Sequence, residues 1–174
     1  MKKQIVSFLF ILVGYISAVA NIDSLKTFLE NNPNDYQARL HLGIAYHNLG
    51  VNGDKNAVKK SENILKELVE LDNSDALALG YYGSVLSLKA RDSRMPWNKS
   101  KYAKQGLAKI DSAINIDPQQ IQLRMLRAMN SYQVPKFMNR LEIGIMDYEY
   151  ILESIEFNSF SCEKKAMVYL NLAK

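Results

Sequence analysis

One cysteine, one tryptophan and two histidines are all that 174 residues hold of the side chains most often recruited for redox and metal chemistry. With Cys162 alone, no internal disulfide can form. Its neighbours Phe157, Phe160 and Met167 and the lack of a nearby histidine predict a buried, non-nucleophilic thiol. His41 and His47 stand six residues apart, about 600° of helical rotation, so they point to different sides of one helix and cannot share a metal. The chain also lacks a His-x-x-x-His pair, a glycine-rich phosphate loop and a Gly-x-Ser-x-Gly elbow. Ser159 and Ser161 are hydroxyls with no base beside them. This inventory argues against an enzyme and implies neither a metal nor a cofactor.

What is present is an ordinary globular balance. Hydrophobic residues make up 48% of the chain, with eight glycines and four prolines, which excludes a disordered or collagen-like polypeptide. Lys2-Lys3, the uncharged apolar run Ile5 to Ala20 and the Ala18-Val19-Ala20 ending read as a signal peptide over residues 1–20, cleaved after Ala20. A retained anchor is the rival, because Gln4 to Ile22 carry no charge over 19 positions. Cleavage implies a periplasmic or secreted protein, and membrane association follows only if the segment is kept. No cysteine lies near the cleavage site, which argues against a lipoprotein.

Without Lys2 and Lys3 the chain carries 20 basic and 18 acidic residues, so their distribution matters more than the net charge. Between Lys89 and Ile110, seven basic residues (Lys89, Arg91, Arg94, Lys99, Lys101, Lys104 and Lys109) meet only Asp92. Between Leu141 and Phe157, Glu142, Asp147, Glu149, Glu153 and Glu156 meet no base. A basic segment can steer an acidic partner, but it is also the ordinary solvated face of a helix. The dense arginine and aromatic interleaving of a nucleic-acid site is missing.

A longer pattern recurs three times. The turns Asn32-Pro33-Asn34-Asp35, Asp72-Asn73-Ser74-Asp75 and Asp117-Pro118-Gln119-Gln120 are each followed by a pair ending in a small residue: Leu42-Gly43, Tyr82-Gly83 and Arg127-Ala128. Tyr46 follows the first pair by one helical turn, and a second helix would bring Ser61, Leu65 and Leu68 against the first. In the second unit of the pattern, Leu79, Tyr82, Gly83 and Leu86 face Gly106, Ile110 and Ala113. The third places Ala128 opposite Gly144, Tyr148 and Ile151. Glycine inside a helix costs roughly 1 kcal/mol relative to alanine, so Gly106 and Gly144 imply close helix contacts.

These positions resemble the tetratricopeptide repeat (TPR) family, and specifically an exported bacterial member. The resemblance implies an all-α, right-handed α-solenoid over residues 21–174, made of about three antiparallel helix hairpins with a C-terminal capping helix. Spacings between turns of 40 and 45 residues exceed the family's ~34. The excess is expected in loops within the hairpins, at Val51 to Asn56 and at Arg91 to Ser100, with Trp97 anchored against its hairpin. Leu25, Phe28 and Leu29 read as the end of a second helix whose partner is missing. Glu163 to Lys174 reads as the cap, with Ala166, Tyr169, Leu170 and Ala173 on its packed stripe. Arg124 and Arg127 stand where the family has apolar residues, and Asp147 is the expected counter-charge, because an unpaired buried charge costs several kcal/mol.

The resemblance further implies a non-enzymatic interaction module that binds a protein or peptide partner, and no nucleic acid, along a concave face made by each first helix. Carried onto this chain, that face is Gln37, Leu40, Ile44 and His47 in the first hairpin. The second contributes Leu77, Gly80, Ser84 and Ser87, and the third Gln122, Met125, Met129 and Tyr132. Leu40, Gly80 and Met125 occupy places where a carboxylate-clamping lysine would stand, so the face suits an apolar or uncharged segment. Two alternatives stay open. The amino-terminal segment around Phe28 could cover this face and leave Arg94, Trp97, Lys99 and Lys101 as the working surface, or a gap between helices could hold a small apolar ligand.

Overall fold

The computed structural model describes residues 21–173, all of whose regular elements are helical. The signal segment 1–20 and nearly all of its rival anchor lie outside the described residues, and among those described no helix is long and apolar enough to cross a membrane. Two compact units follow one another, the first ending at Asp72 and the second beginning at Asn73.

In the first unit, α1 covers residues 21–31, α2 Tyr36–Val51 and α3 Lys55–Leu71. Asp35 starts α2 because its carboxylate accepts the Ala38 amide at 2.7 Å, and Asp54 starts α3 by accepting from Asn56 and Ala57. Each carboxylate satisfies amides that have no partner within the helix. Between α2 and α3, Gly53 takes φ 104°, a conformation that favours glycine. Helices α2 and α3 run antiparallel, since Arg39 meets Glu67, Gly43 meets Ser61 and Tyr46 meets Lys60. A Cβ at Gly43 would lie 2.9 Å from Leu65, and Ser61 Oγ donates to the Gly43 carbonyl at 2.7 Å, as the small-residue register requires. Ile22, Leu25 and Leu29 of α1 join Leu42, Tyr46, Leu49 and Ala57 in one core. Phe28 is left half-exposed, so it is not the residue through which α1 covers its neighbours.

The second unit holds α4 (Ala76–Asp92), α5 (Pro96–Ile116), α6 (Ile121–Gln133), α7 (Leu141–Glu153) and α8 (Cys162–Leu172). Asp75 caps α4 as Asp35 caps α2, accepting from Ala78 at 2.9 Å. Gly80 lies near Ala113, Gly83 near Ile110 and Gly106 near Ser87, so α4 and α5 are antiparallel. A Cβ at Gly83 would come within 2.6 Å of the Gly106 carbonyl oxygen, and one at Gly106 within 2.5 Å of the Gly83 oxygen. These are backbone atoms, which cannot swing aside, so the two glycines set the spacing of the pair.

The hairpins lengthen differently from the sequence expectation. The loops within them are only residues 52–54 and 93–95, and the extra residues extend the helices instead. Pro96 does not interrupt α5 but starts it, at the position where its missing amide would have had no helical partner. Trp97 consequently lies on the first turn of α5 and is 68% exposed, not anchored.

Helix α6 pairs with α7 through charge. Asp147, with 0% exposure, accepts from Arg124 at 3.0 Å and from both Nε and Nη2 of Arg127 at 2.7 and 2.8 Å. Arg140, just before α7, forms a two-point bond to Asp111 of α5 at 2.7 and 2.8 Å. Arg127 also reaches Asp111 at 3.6 Å, so two carboxylates and three guanidiniums tie α5, α6 and α7. The bond to Asp147 keeps the Arg127 pKa raised above its ordinary value, against the opposing effect of burial. The third glycine contact is shifted by a turn: a Cβ at Gly144 would meet the Tyr132 ring and Ser131, not Ala128.

The last helix packs by a face other than the one periodicity suggested. Val168 is buried with Ala128, Tyr148, Ile151 and Phe157, and Asn171 donates to the Tyr148 hydroxyl at 3.0 Å. Ala166, Leu170 and Ala173 are exposed, and Tyr169, though 56% exposed, sets its ring edge-on to Phe157 with centroids 5.7 Å apart. Cys162 is exposed as well, because it begins α8 directly after the capping hydroxyl of Ser161 instead of entering the core.

Neutralising the centre of the charge cluster should be costly, since it leaves two guanidiniums facing a group that no longer balances them. Asp147→Asn is expected to lower unfolding free energy by about 3 kcal/mol. Glu67→Gln, which removes a largely exposed partner of Arg39, should cost less than about 1 kcal/mol. Urea unfolding of both variants checks the contrast, and equal losses would show that Asp147 does not hold α6 to α7.

Candidate functional site

The expected face of first helices is mostly taken up by packing. In the first unit Gln37 is exposed and Ile44 half-buried, but Leu40 and His47 are buried, because α2 buries side chains around most of its circumference. Leu40 and His47 are therefore core residues, not surface ones. Burial drives the His47 pKa down to about 4, only partly opposed by its contact with Asn48 at 3.2 Å.

In the second unit, the same face of α4 lies under α6. Leu123 would be 2.5 Å from a Cβ on Gly80, so Gly80 permits a helix crossing and does not line an opening. Buried Ser84 accepts from the Asn130 amide at 3.1 Å. Gln122 is exposed, yet its amide donates to the Tyr81 hydroxyl at 2.8 Å; burial raises the Tyr81 pKa while this bond opposes the rise. Met125 packs into the core shared with α7 and α8, and the Tyr132 ring sits 5.5 Å from that of Tyr148. Leu77, Ser87 and Met129 are half-buried. Met125 and Tyr132 thus stabilise the α6–α7 pair and do not offer an adaptable groove.

The alternative surface fares differently. Arg94, Trp97, Lys99 and Lys101 are all exposed, in the α4–α5 turn and the first turns of α5. Lys99 opens onto a cavity of about 440 Å³ within the second unit. Helix spacing explains which residues of α5 line it: Pro96, Lys99, Ser100 and Ala103 fall at i, i+3, i+4 and i+7, one face of a helix. Ser87, Ala90 and Arg91 of α4 form the opposite wall. Asn130 and Gln133 of α6 and the segment Val134, Pro135, Phe137 and Met138 close the remaining side.

Local rules set that last wall. Pro135 cannot continue α6, whose end at Gln133 passes to extended Val134 and then to a single 3-10 turn, Lys136–Met138. Asn139 takes φ 51°, reversing the chain, and Arg140 fastens it to Asp111. Phe137 is 77% exposed at the rim.

The polar side chains of the cavity are Ser87, Arg91, Lys99, Ser100, Asn130 and Gln133. Asn130 donates both amide hydrogens, to the Leu126 carbonyl at 2.8 Å and to Ser84 Oγ. A carbonyl can only accept, so the amide orientation is fixed and Oδ1 is left without a partner among the described residues. Arg91 is paired with Asp92 at 2.8 Å, whereas Lys99 meets no carboxylate among the described residues. Elsewhere along the basic stretch, Lys89 lies over the Tyr102 ring at 4.5 Å and Lys109 over Tyr82 at 4.9 Å, so both serve packing. The acidic stretch is equally uneven, because Asp147 is neutralised internally.

Sequence reasoning missed Ala90, Arg91, Ala103, Asn130 and the 133–138 segment. The one available signal was Val134-Pro135, which ends α6 well short of α7. Among the described residues no cluster of histidine, cysteine and carboxylates could hold a metal ion. Comparison of the chain with protein-family models, with curated proteins and with solved structures gave no match.

The buried histidine gives the first unit a pH dependence whose sign is fixed. A folded pKa of about 4, against the ordinary 6.5, means that the unfolded chain takes up the proton first as pH falls. Stability is full above pH ~6.5 and is lost as pH falls towards ~4, with a drop of about 2 kcal/mol by pH ~5. His47→Gln should flatten this dependence between those limits; denaturant titrations of both proteins across the range would reveal an unchanged slope if His47 were not responsible.

Proposed function

We propose that this chain is a tetratricopeptide-like, non-enzymatic interaction module that binds a protein or peptide segment. Its three antiparallel helix pairs are read as successive hairpins of a right-handed α-solenoid, with α8 as the cap. The family reading is supported by the capping aspartates, by the contacts of Gly43 with Ser61 and of Gly83 with Gly106, and by the recurrence of the turns. Export to the periplasm or beyond is part of this proposal and rests on the character of residues 1–20.

The observation that carries the functional reading is the cavity of the second unit. It is largely apolar in its walls, and the exposed Lys99 of α5 is part of its lining. Such a site can accept a side chain while the rest of a polypeptide passes outside. The expected groove of first helices is set aside in its favour, because much of that face is occupied by the protein's own core. A second reading, a small apolar ligand, draws support from the cavity's size, which lies within the range of small-molecule sites.

Site-specific photo-crosslinking separates these readings. A photoreactive residue replacing Gln133, at the cavity, should label a defined polypeptide in the envelope fraction, while one replacing the exposed Gln37 should not. Labelling from Gln37 alone would return the site to the first-helix face, and recovery of a small molecule without a polypeptide would favour the second reading. The native protein in the same preparation should begin at Asn21 by mass; an intact Met1 would replace cleavage with an anchor.

A further inference from the structure

We propose that the cavity of the second unit recognises a peptide segment in which an apolar residue lies beside an acidic one. The apolar side chain enters between Ala90, Ala103 and Phe137, a backbone amide donates to Asn130 Oδ1, and the acidic side chain meets Lys99. This rests on the peptide-binding reading given above and specifies its chemistry.

The occupant follows from three features that must be met together. Ala90, Pro96, Ala103, Val134 and Phe137 form an apolar part of the lining, and a polar group set against them would lose its hydrogen bonds to water. Asn130, buried and held by its two donated bonds, presents an acceptor. An apolar ligand sealing the cavity would strip water from Oδ1 without replacing its hydrogen bond, a loss that selects against a simple alkyl chain. A peptide brings the missing donor with every residue but proline.

Charge selects among peptides. Lys99, exposed and part of the cavity lining, lacks a carboxylate partner among the described residues. Arg91, at the opposite wall, is already balanced by Asp92. An acidic side chain next to the buried apolar one therefore gains a partner in Lys99, whereas a lysine there meets like charge. A fatty acid satisfies the apolar walls and Lys99 but not Asn130, which is why the peptide is preferred.

Fluorescence anisotropy on the full chain tests this with short, amino-acetylated and carboxy-amidated peptides. One carries a central Leu-Phe flanked by Asp and Glu, one the same centre flanked by Lys, and one acidic flanks around Gly-Ser. Only the first should bind, and N-methylation of its central amides should weaken it. Lys99→Glu, an exposed substitution whose fold can be verified by circular dichroism, should reduce affinity about tenfold, a change of about 1.4 kcal/mol. Ala103→Phe, filling the cavity, should abolish binding. If the lysine-flanked peptide binds equally, or Lys99→Glu has no effect, the acidic specificity is wrong while peptide binding stands. If dodecanoate binds and no peptide does, both the specificity and the peptide-binding reading fall; silence from every probe overturns the proposal as well.

Discussion

Two buried or half-buried carboxylates, Asp147 and Asp111, govern the second unit because each is shared between helices. Asp147 holds two arginines of α6 against α7, and Asp111 holds Arg127 and the start of α7 against α5. Such pairs lose much of their Coulombic gain to desolvation. Their consequence is geometric: three guanidiniums reach two fixed acceptors in only one register of α5, α6 and α7. The segment from Val134 to Arg140 is consequently fastened at both ends, by α6 and by Asp111, and it is this segment that closes the cavity.

The hairpins use different means to the same end. In α2–α3 and α4–α5 small residues let backbones approach, and the Gly83–Gly106 contact leaves no space for a methyl group on either side. In α6–α7 charge sets the register and Gly144 accommodates an aromatic ring. Both devices were legible in the sequence for physical reasons. A glycine within a helix needs a close contact to offset its cost, and an arginine at an apolar position needs a carboxylate. Asp35 and Asp75 were legible as turn residues for a comparable reason, since a helix start needs an acceptor for its unpaired amides.

The errors have equally specific causes. Periodicity cannot orient α8, which has apolar residues on two sides, so Val168 enters the core while Leu170 faces outward and Tyr169 meets the core edge-on at Phe157. Pro96 reads as an interruption within a helix and as a good first residue at its start, and only the position of Met95 decides between them. On α4 the expected first-helix face is covered by α6 at Gly80 and Ser84, a contact between elements that are not neighbours in sequence, while Ser87 of the same face lines the cavity. Gly80 signalled close approach in either reading, but the approaching group is Leu123 of the protein itself. The cavity was illegible for a related reason: it gathers the end of α4, the start of α5, the end of α6 and the segment after it, none of which carries a signal of the others.

The division of cations in the structure bears on what the cavity can recognise. Five of the six arginines, Arg39, Arg91, Arg124, Arg127 and Arg140, are in ion pairs. Guanidinium suits such work, because its fixed fork matches a carboxylate at two points. In the cavity lining Arg91 is paired with Asp92, which leaves Lys99, a mobile point charge on a flexible stem. Lysine attracts an anion without dictating its orientation. Orientation must then come from Asn130, which is held by Leu126 and Ser84. A held acceptor and a mobile cation suit a ligand whose backbone is fixed and whose acidic side chain can adjust. A peptide segment has that combination, and an alkyl anion lacks the donor that Asn130 requires.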